Sequence, residues 1–187
     1  EILSPEQVVD IWPLAVPDGL IGAIRHPWDG YIQPADLTQA LAKGARDKGA
    51  EIYRNTGVSS ITRTASGAWC VSTDKGDIEC EHIVSATGNF ARKTGAMVGI
   101  DIPVIPVEHQ YIVTEPHPAI QERQAQGLPE MGVLRESDGS WYMREENGGL
   151  LLGPYEVGAP VCYFDGPDEN SEYELFQEDL ERLMPHI

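Results

Sequence analysis

The sequence predicts an α/β to α+β fold, and three observations carry that expectation. Apolar residues recur at helical spacing over about 34–48, short alternating runs fill 51–86, and a meander punctuated by Asp138-Gly139 and Asn147-Gly148 covers 131–155. The meander should form a large mixed or antiparallel sheet, since both dipeptides favour hairpin turns. A chain of 187 residues can bury one substantial core, or one domain with part of another.

The elements follow in order. Ser4-Pro5-Glu6-Gln7 is a helix-start signature, and the helix should stop before Pro13. Pro27-Trp28-Asp29-Gly30 reads as a turn. Pro34 suits a first helical turn with Asp36 close behind, and Leu37, Ala40, Leu41 and Ala45 share a face before Gly49. Strands are expected at Glu51–Arg54, Val58–Thr64, Ala68–Ser72 and Ile78–Ala86, the last turning apolar as in a covered sheet. A short helix over 89–98 would be capped by Asn89 and ended by Gly99. Val104–Thr114 reads as a long strand ended by Pro116 and Pro118, and a polar helix or loop runs to about Gly127. The meander strands are Met131–Arg135, Ser140–Arg144 and Leu150–Tyr155. Tyr173–Met184 reads as a closing helix with Leu175, Phe176, Leu180 and Leu183 on one face.

Composition narrows the class. With 30 acidic against 13 basic residues the formal charge is −17, which argues against nucleic acid and against an anionic membrane face. No apolar run reaches the roughly 20 residues of a membrane span, and no secretory signal is present. Cys70, Cys80 and Cys162 form neither a CxxC pair nor a disulfide framework, so a reducing, cytoplasmic setting is expected. The histidines share no metal-ligand spacing, so no metal is expected, and no GxSxG nucleophile motif occurs. The first residue is Glu1, which predicts a processed or internal N-terminus.

Two stretches carry chemistry. Val84-Ser85-Ala86-Thr87-Gly88 reads as a strand breaking into a glycine turn, the kind of place where a nucleotide cofactor approaches backbone. Val107-Glu108-His109-Gln110-Tyr111 sets an imidazole, an amide and a phenol side by side in an apolar run, which is costly unless they are paired or used. No two glycines lie at i and i+2 anywhere, so a GxGxxG pyrophosphate turn is impossible within these residues.

Asp29-Gly30 leading to Pro34-Ala35-Asp36-Leu37, with Ile83–Gly88, resembles flavin-dependent amine oxidoreductases of the glycine and D-amino-acid oxidase type. Pro106-Val107-Glu108-His109-Gln110-Tyr111-Ile112-Val113-Thr114, Tyr142-Met143-Arg144-Glu145, Leu152-Gly153-Pro154-Tyr155-Glu156, Leu175-Phe176 and Asp179-Leu180-Glu181-Arg182 are similar to the dimethylglycine and sarcosine dehydrogenase branch. The resemblance covers about residues 20–187 and implies an internal fragment. Residues 20–100 would be a partial FAD-binding domain lacking its N-terminal GxGxxG unit, with interdomain strands; 101–187 would be a substrate-binding domain, the two interleaving with loose boundaries.

The implied reaction is hydride transfer from an N-methyl carbon to FAD, leaving an iminium that water hydrolyses to formaldehyde and a demethylated amine. The amine must be neutral for its lone pair to drive the step, and an imidazole can take its proton. His109 matches that position; the plain alternative is a core histidine hydrogen-bonded to backbone. Tyr142 matches an active-site tyrosine able to hydrogen-bond a substrate carboxylate or the imidazole, or else is a packed aromatic. On a strand Tyr111 would share the face of His109, with Gln110 pointing away as a structural residue. Arg144, with Arg135, could bind a carboxylate or be a surface charge. Val58 falls where the family reads adenine through backbone, and Ala86, Thr87 and Gly88 fall where small residues admit FAD; the alternatives are an ordinary strand valine and a ligand-free turn. FAD is implied for the intact parent, while its retention by this stretch alone, and so its activity, is in question.

The partners implied are a small N-methylated amino acid and an electron-transfer flavoprotein, or oxygen if the parent is an oxidase. A mitochondrial matrix location is the alternative to the cytoplasm. The competing function is a non-catalytic substrate-domain-like binding module without cofactor.

Overall fold

A computed structural model describes residues 1–168, 171 and 175–187. In chain order the elements are β1 (Ile2–Leu3), α1 (Pro5–Ile11), β2 (Ala23–Ile24), α2 (Pro34–Asp47), β3 (Val58–Arg63), β4 (Trp69–Thr73) and β5 (Gly76–Cys80). A single 3-10 turn at Gly88–Phe90 leads into α3 (Ala91–Ala96), followed by β6 (Ile112–Val113) and α4 (Pro118–Ala125). Then come β7 (Leu134–Glu136), β8 (Trp141–Glu146), β9 (Gly149–Pro154) and α5 (Leu180–Leu183). The chain forms two compact units: residues 1–33, 109–159 and 178–187 make one, and residues 34–108 and 160–177 make the other.

The first unit is built on an antiparallel sheet in the order β6-β9-β8-β7. Its register follows from the turns. Asn147 and Gly148 both take left-handed backbone, with φ of 51° and 78°, so the two-residue loop matches the strand twist and sets Glu146 opposite Gly149. Strand alternation then separates two faces. Leu134, Met143 and Leu150 pack against buried Trp12, Ile120 and Met131, with the Trp12 indole N–H donating to the Gly132 carbonyl at 2.7 Å. The other face carries Arg135, Tyr142, Arg144 and Gly153. Helix α1 begins with a capping box, in which the Ser4 side chain accepts from the Gln7 N–H and the Gln7 side chain accepts from the Ser4 N–H at 2.9 Å.

The second unit holds a three-stranded antiparallel sheet, β3-β4-β5, whose Ile61 is buried. The expected helix is present as α2, but none of its residues is buried.

Several sequence expectations change. Glu51–Arg54 is not a strand, and the run ending at Ala86 is a strand only to Cys80. A strand exists through its ladder partner, and among the described residues nothing pairs with 81–86; Val84 is 90% exposed. The long strand over 104–114 reduces to β6 and a single bridge, Val107 to Val161. Prolines at 103, 106 and 160 remove the backbone donors a continuous ladder would need. Asn89 does not cap α3: the 3-10 turn takes its place, and Phe90 is the cap residue without a side-chain bond. The closing helix is one turn, α5, with a 3-10 turn at Met184–His186. Leu175 is exposed while Leu183 is buried, so the expected apolar face does not form; Tyr173 lies outside the described residues.

Ile120 has no exposed surface, so Ile120→Ala should cost about 2–5 kcal/mol, read as a lower urea midpoint with unchanged slope.

Candidate active site

The polar face of the first unit's sheet gathers the candidate site residues, and each arrives by register. Tyr142 on β8 pairs across to Gly153 on β9 and to Arg135 on β7. A Cβ at Gly153 would overlap the Tyr142 ring, so the absence of a side chain lets the phenol lie over the neighbouring strand. The Tyr142 ring leans on Tyr155 at 5.6 Å between centroids, and the Arg135 guanidinium lies 5.9 Å from the Tyr142 centroid.

His109 meets this cluster edge-on, its ring 5.4 Å from Tyr155 and nearly perpendicular to it. Its Nδ1 lies 3.3 Å from Oε2 of Glu156. The other oxygen of that carboxylate lies 3.0 Å from Nε of Arg182. The Glu156 side chain is only 7% exposed, so these two neighbours stand where water would otherwise meet the carboxylate.

A second set of bonds fixes the backbone on either side. The Gln110 side-chain amide donates to the Asp179 carbonyl at 2.7 Å and accepts from the Asp179 N–H at 3.1 Å. Asp179 in turn caps α5, its carboxylate accepting from the Arg182 N–H at 3.1 Å. One amide therefore ties the residue after His109 to the helix that carries Arg182.

Burial is the main reason that the Tyr142 phenol is pushed above the ordinary tyrosine value, with Tyr155 and Tyr111 adding to it and Arg144 and Arg135 opposing. The hydroxyl therefore remains a donor at neutral pH. Tyr111 is well exposed. Arg144 is committed in part: its guanidinium meets the Glu146 carboxylate, donates to the Glu145 carbonyl at 2.9 Å and stacks 4.5 Å from the Tyr31 ring centroid.

The structure thus gathers His109, Tyr142 and Arg144 in one unit with Tyr111. Val58, Ala86, Thr87 and Gly88 belong to the other unit. Val58 opens β3 opposite Thr73, just before a register shift. Ala86, Thr87 and Gly88 form an exposed loop entering the 3-10 turn, with the Ser85 and Thr87 hydroxyls 3.1 Å apart. Sequence reasoning gave no roles to Tyr155, Glu156, Asp179 and Arg182, although each stood in a motif that carried the resemblance. A signal was present: a carboxylate directly after an apolar strand, and an arginine three residues after an aspartate. Among the described residues no group of three or more His, Cys, Asp or Glu could hold a metal, and no helix is long and apolar enough to cross a membrane.

Comparison with known proteins agrees with this architecture. The family described as DAO, FAD dependent oxidoreductase, matches residues 1–187. The chain is 39% identical to human mitochondrial dimethylglycine dehydrogenase across its whole length, covering 22% of that protein. It is 34% identical to the formaldehyde-forming 4-methylaminobutanoate oxidase of Paenarthrobacter nicotinovorans, over 83% of this chain and 18% of that one. The chain therefore spans about a fifth of the length of these curated relatives. Among solved structures, L-proline dehydrogenase from P. horikoshii superposes with a TM-score of 0.75 at 25% identity, covering all of this chain and 46% of that one.

The Ala86-Thr87-Gly88 loop has the small side chains and open backbone that would let a flavin approach. At Gly88, φ is +53° and an added Cβ would meet nothing within 4 Å, so the loop leaves open space beside small, exposed residues. The glycine turn for a pyrophosphate is not among the 187 residues.

Gly153→Ala should lower stability by about 1–3 kcal/mol, because the new methyl displaces the Tyr142 ring; pairing it with Tyr142→Ala should remove most of the added cost in a denaturation double-mutant cycle. Tyr142 also ties stability to alkaline pH. Its raised folded value means the contribution is complete below the unfolded value near 10.0 and is lost as pH rises through the folded one. Tyr142→Phe should flatten that alkaline slope in denaturation midpoints.

Proposed function

Because the chain belongs to the DAO family of FAD-dependent oxidoreductases, we propose that it forms part of an enzyme that oxidatively demethylates a small N-methylated amino acid such as dimethylglycine or sarcosine. The observation that carries the reading is the imidazole of His109 set edge-on to Tyr155 beside Tyr142, on a face that also bears Arg135 and Arg144. Such a face offers a proton acceptor for the amine together with neutral and cationic donors for the carboxylate of the same small molecule. The names of the similar human and Paenarthrobacter proteins, one a dimethylglycine dehydrogenase and one a formaldehyde-forming methylamino-acid oxidase, support the same substrate class.

FAD, when bound, supplies the two-electron acceptor for the hydride. The chain's own residues do the rest. His109 takes the proton from the substrate ammonium, exposing the lone pair that drives hydride loss. Tyr142 keeps its proton and donates to the carboxylate. Arg144 retains donors beyond those engaged with Glu146 and the Glu145 carbonyl, and Tyr111 supplies a further hydroxyl on the exposed side. Val58 and the Ala86-Thr87-Gly88 loop would hold the cofactor through backbone, with the pyrophosphate turn coming from elsewhere in a larger protein, so that these 187 residues alone would be inactive. An electron-transfer flavoprotein is the proposed acceptor of the electrons.

In the full-length protein, His109→Gln should slow flavin reduction by dimethylglycine about 10²–10⁴-fold, as followed by stopped-flow absorbance. An unchanged rate would exclude His109 as the proton acceptor.

A further inference from the structure

The reading of His109 leaves open which ring nitrogen does the work and what selects it. An imidazole that accepts a proton must present an unprotonated nitrogen to the substrate. The two nitrogens are distinct, and which one carries the proton is set by the hydrogen bond that the ring makes. On Nδ1 the neighbour is the Glu156 carboxylate, 3.3 Å away, which accepts hydrogen bonds and donates none. That carboxylate is itself nearly buried, and Arg182 meets its second oxygen at 3.0 Å. Arg182 is placed by the Asp179 cap, and Asp179 by the two-bond clamp of the Gln110 amide.

We propose that Glu156 is a positioning residue that fixes neutral His109 with its proton on Nδ1, so that Nε2 is the atom that receives the substrate's proton, and that Arg182 holds the carboxylate in that role. The proposal rests on the reading of His109 as proton acceptor and adds the device that makes it directional. When the ammonium gives up its proton, the N–H bond of the substrate breaks and an N–H bond forms at Nε2. The nitrogen keeps its electron pair, and the positive charge passes to the ring. The other proton stays on Nδ1, donated to Glu156 throughout, and the carboxylate faces the new charge across one hydrogen bond. Arg182 has the opposite use: it neutralises the carboxylate while His109 is neutral, so the pair is not left as a lone buried anion. Neither Glu156 nor Arg182 needs to touch the substrate.

The full-length protein, labelled with ¹⁵N-histidine and loaded with flavin, tests this without chemistry. Long-range ¹H–¹⁵N correlation distinguishes the two tautomers, and His109→Gln identifies the His109 signals by their loss. The neutral wild-type ring should carry its proton on Nδ1, and Glu156→Gln should shift the ring toward the Nε2-protonated form, since an amide can donate to Nδ1. In turnover, Glu156→Gln should lower kcat about 10–100-fold with KM for dimethylglycine changed about 3-fold at most, and Glu156→Asp should recover part of the loss. A wild-type ring protonated on Nε2, or a tautomer indifferent to Glu156→Gln, overturns the proposal. Failure of the broader reading looks different: His109→Gln would leave flavin reduction unchanged whatever the tautomer.

Discussion

The carboxylate of Glu156, held between an imidazole and a guanidinium, is the interaction on which the rest of the site depends. It is almost removed from water, and a basic side chain lies beside each of its oxygens. Those partners come from stretches of chain far apart in sequence: His109 precedes β6, Glu156 follows β9 by two residues and Arg182 lies in α5. The pairing therefore acts as a joint as well as a local bond. Gln110 completes it by gripping the Asp179 backbone at both its donor and its acceptor, so the residue beside His109 and the cap of α5 move together.

The sheet supplies the surface against which this joint works. One face is spent on the core, through Leu134, Met143 and Leu150 against Trp12, Ile120 and Met131. The opposite face is thereby left to Arg135, Tyr142 and Arg144, and the missing side chain at Gly153 makes room for the Tyr142 ring to approach Tyr155. Burial pushes the Tyr142 phenol above the ordinary tyrosine value, and the phenol lies in the same cluster as the His109 ring. The cluster as proposed would meet both ends of a molecule whose amine and carboxylate share one carbon.

What was legible in the sequence is what local chemistry decides. The Ser4 capping box, α2 after Pro34 and the Asn147-Gly148 hairpin all form because their signals act within a few residues. Elements that need a distant partner were misjudged. The runs at 51–54 and 81–86 have strand composition but no ladder partner among the described residues, and 104–111 is interrupted by Pro106. The candidate site divides in the same way. His109 and Tyr142 stood out through their motifs, and Gln110 was read as structural, which suits its clamp on Asp179. Glu156 and Arg182 gained no role because nothing local says that they meet; 26 residues of chain separate them, and only the folded unit brings them to 3.0 Å.

Membership of the FAD-dependent oxidoreductase family and the geometry of the first unit together support the roles proposed for these residues. In the proposed complex His109 faces the amine and the Tyr142 side faces the carboxylate. A crystal structure of the full-length protein, with its flavin reduced and dimethylglycine bound, tests it most directly. The substrate nitrogen should lie within hydrogen-bond reach of Nε2 of His109, with the carboxylate toward Tyr142 and Arg144. A carboxylate seated against His109, or a substrate held away from this face, would contradict it.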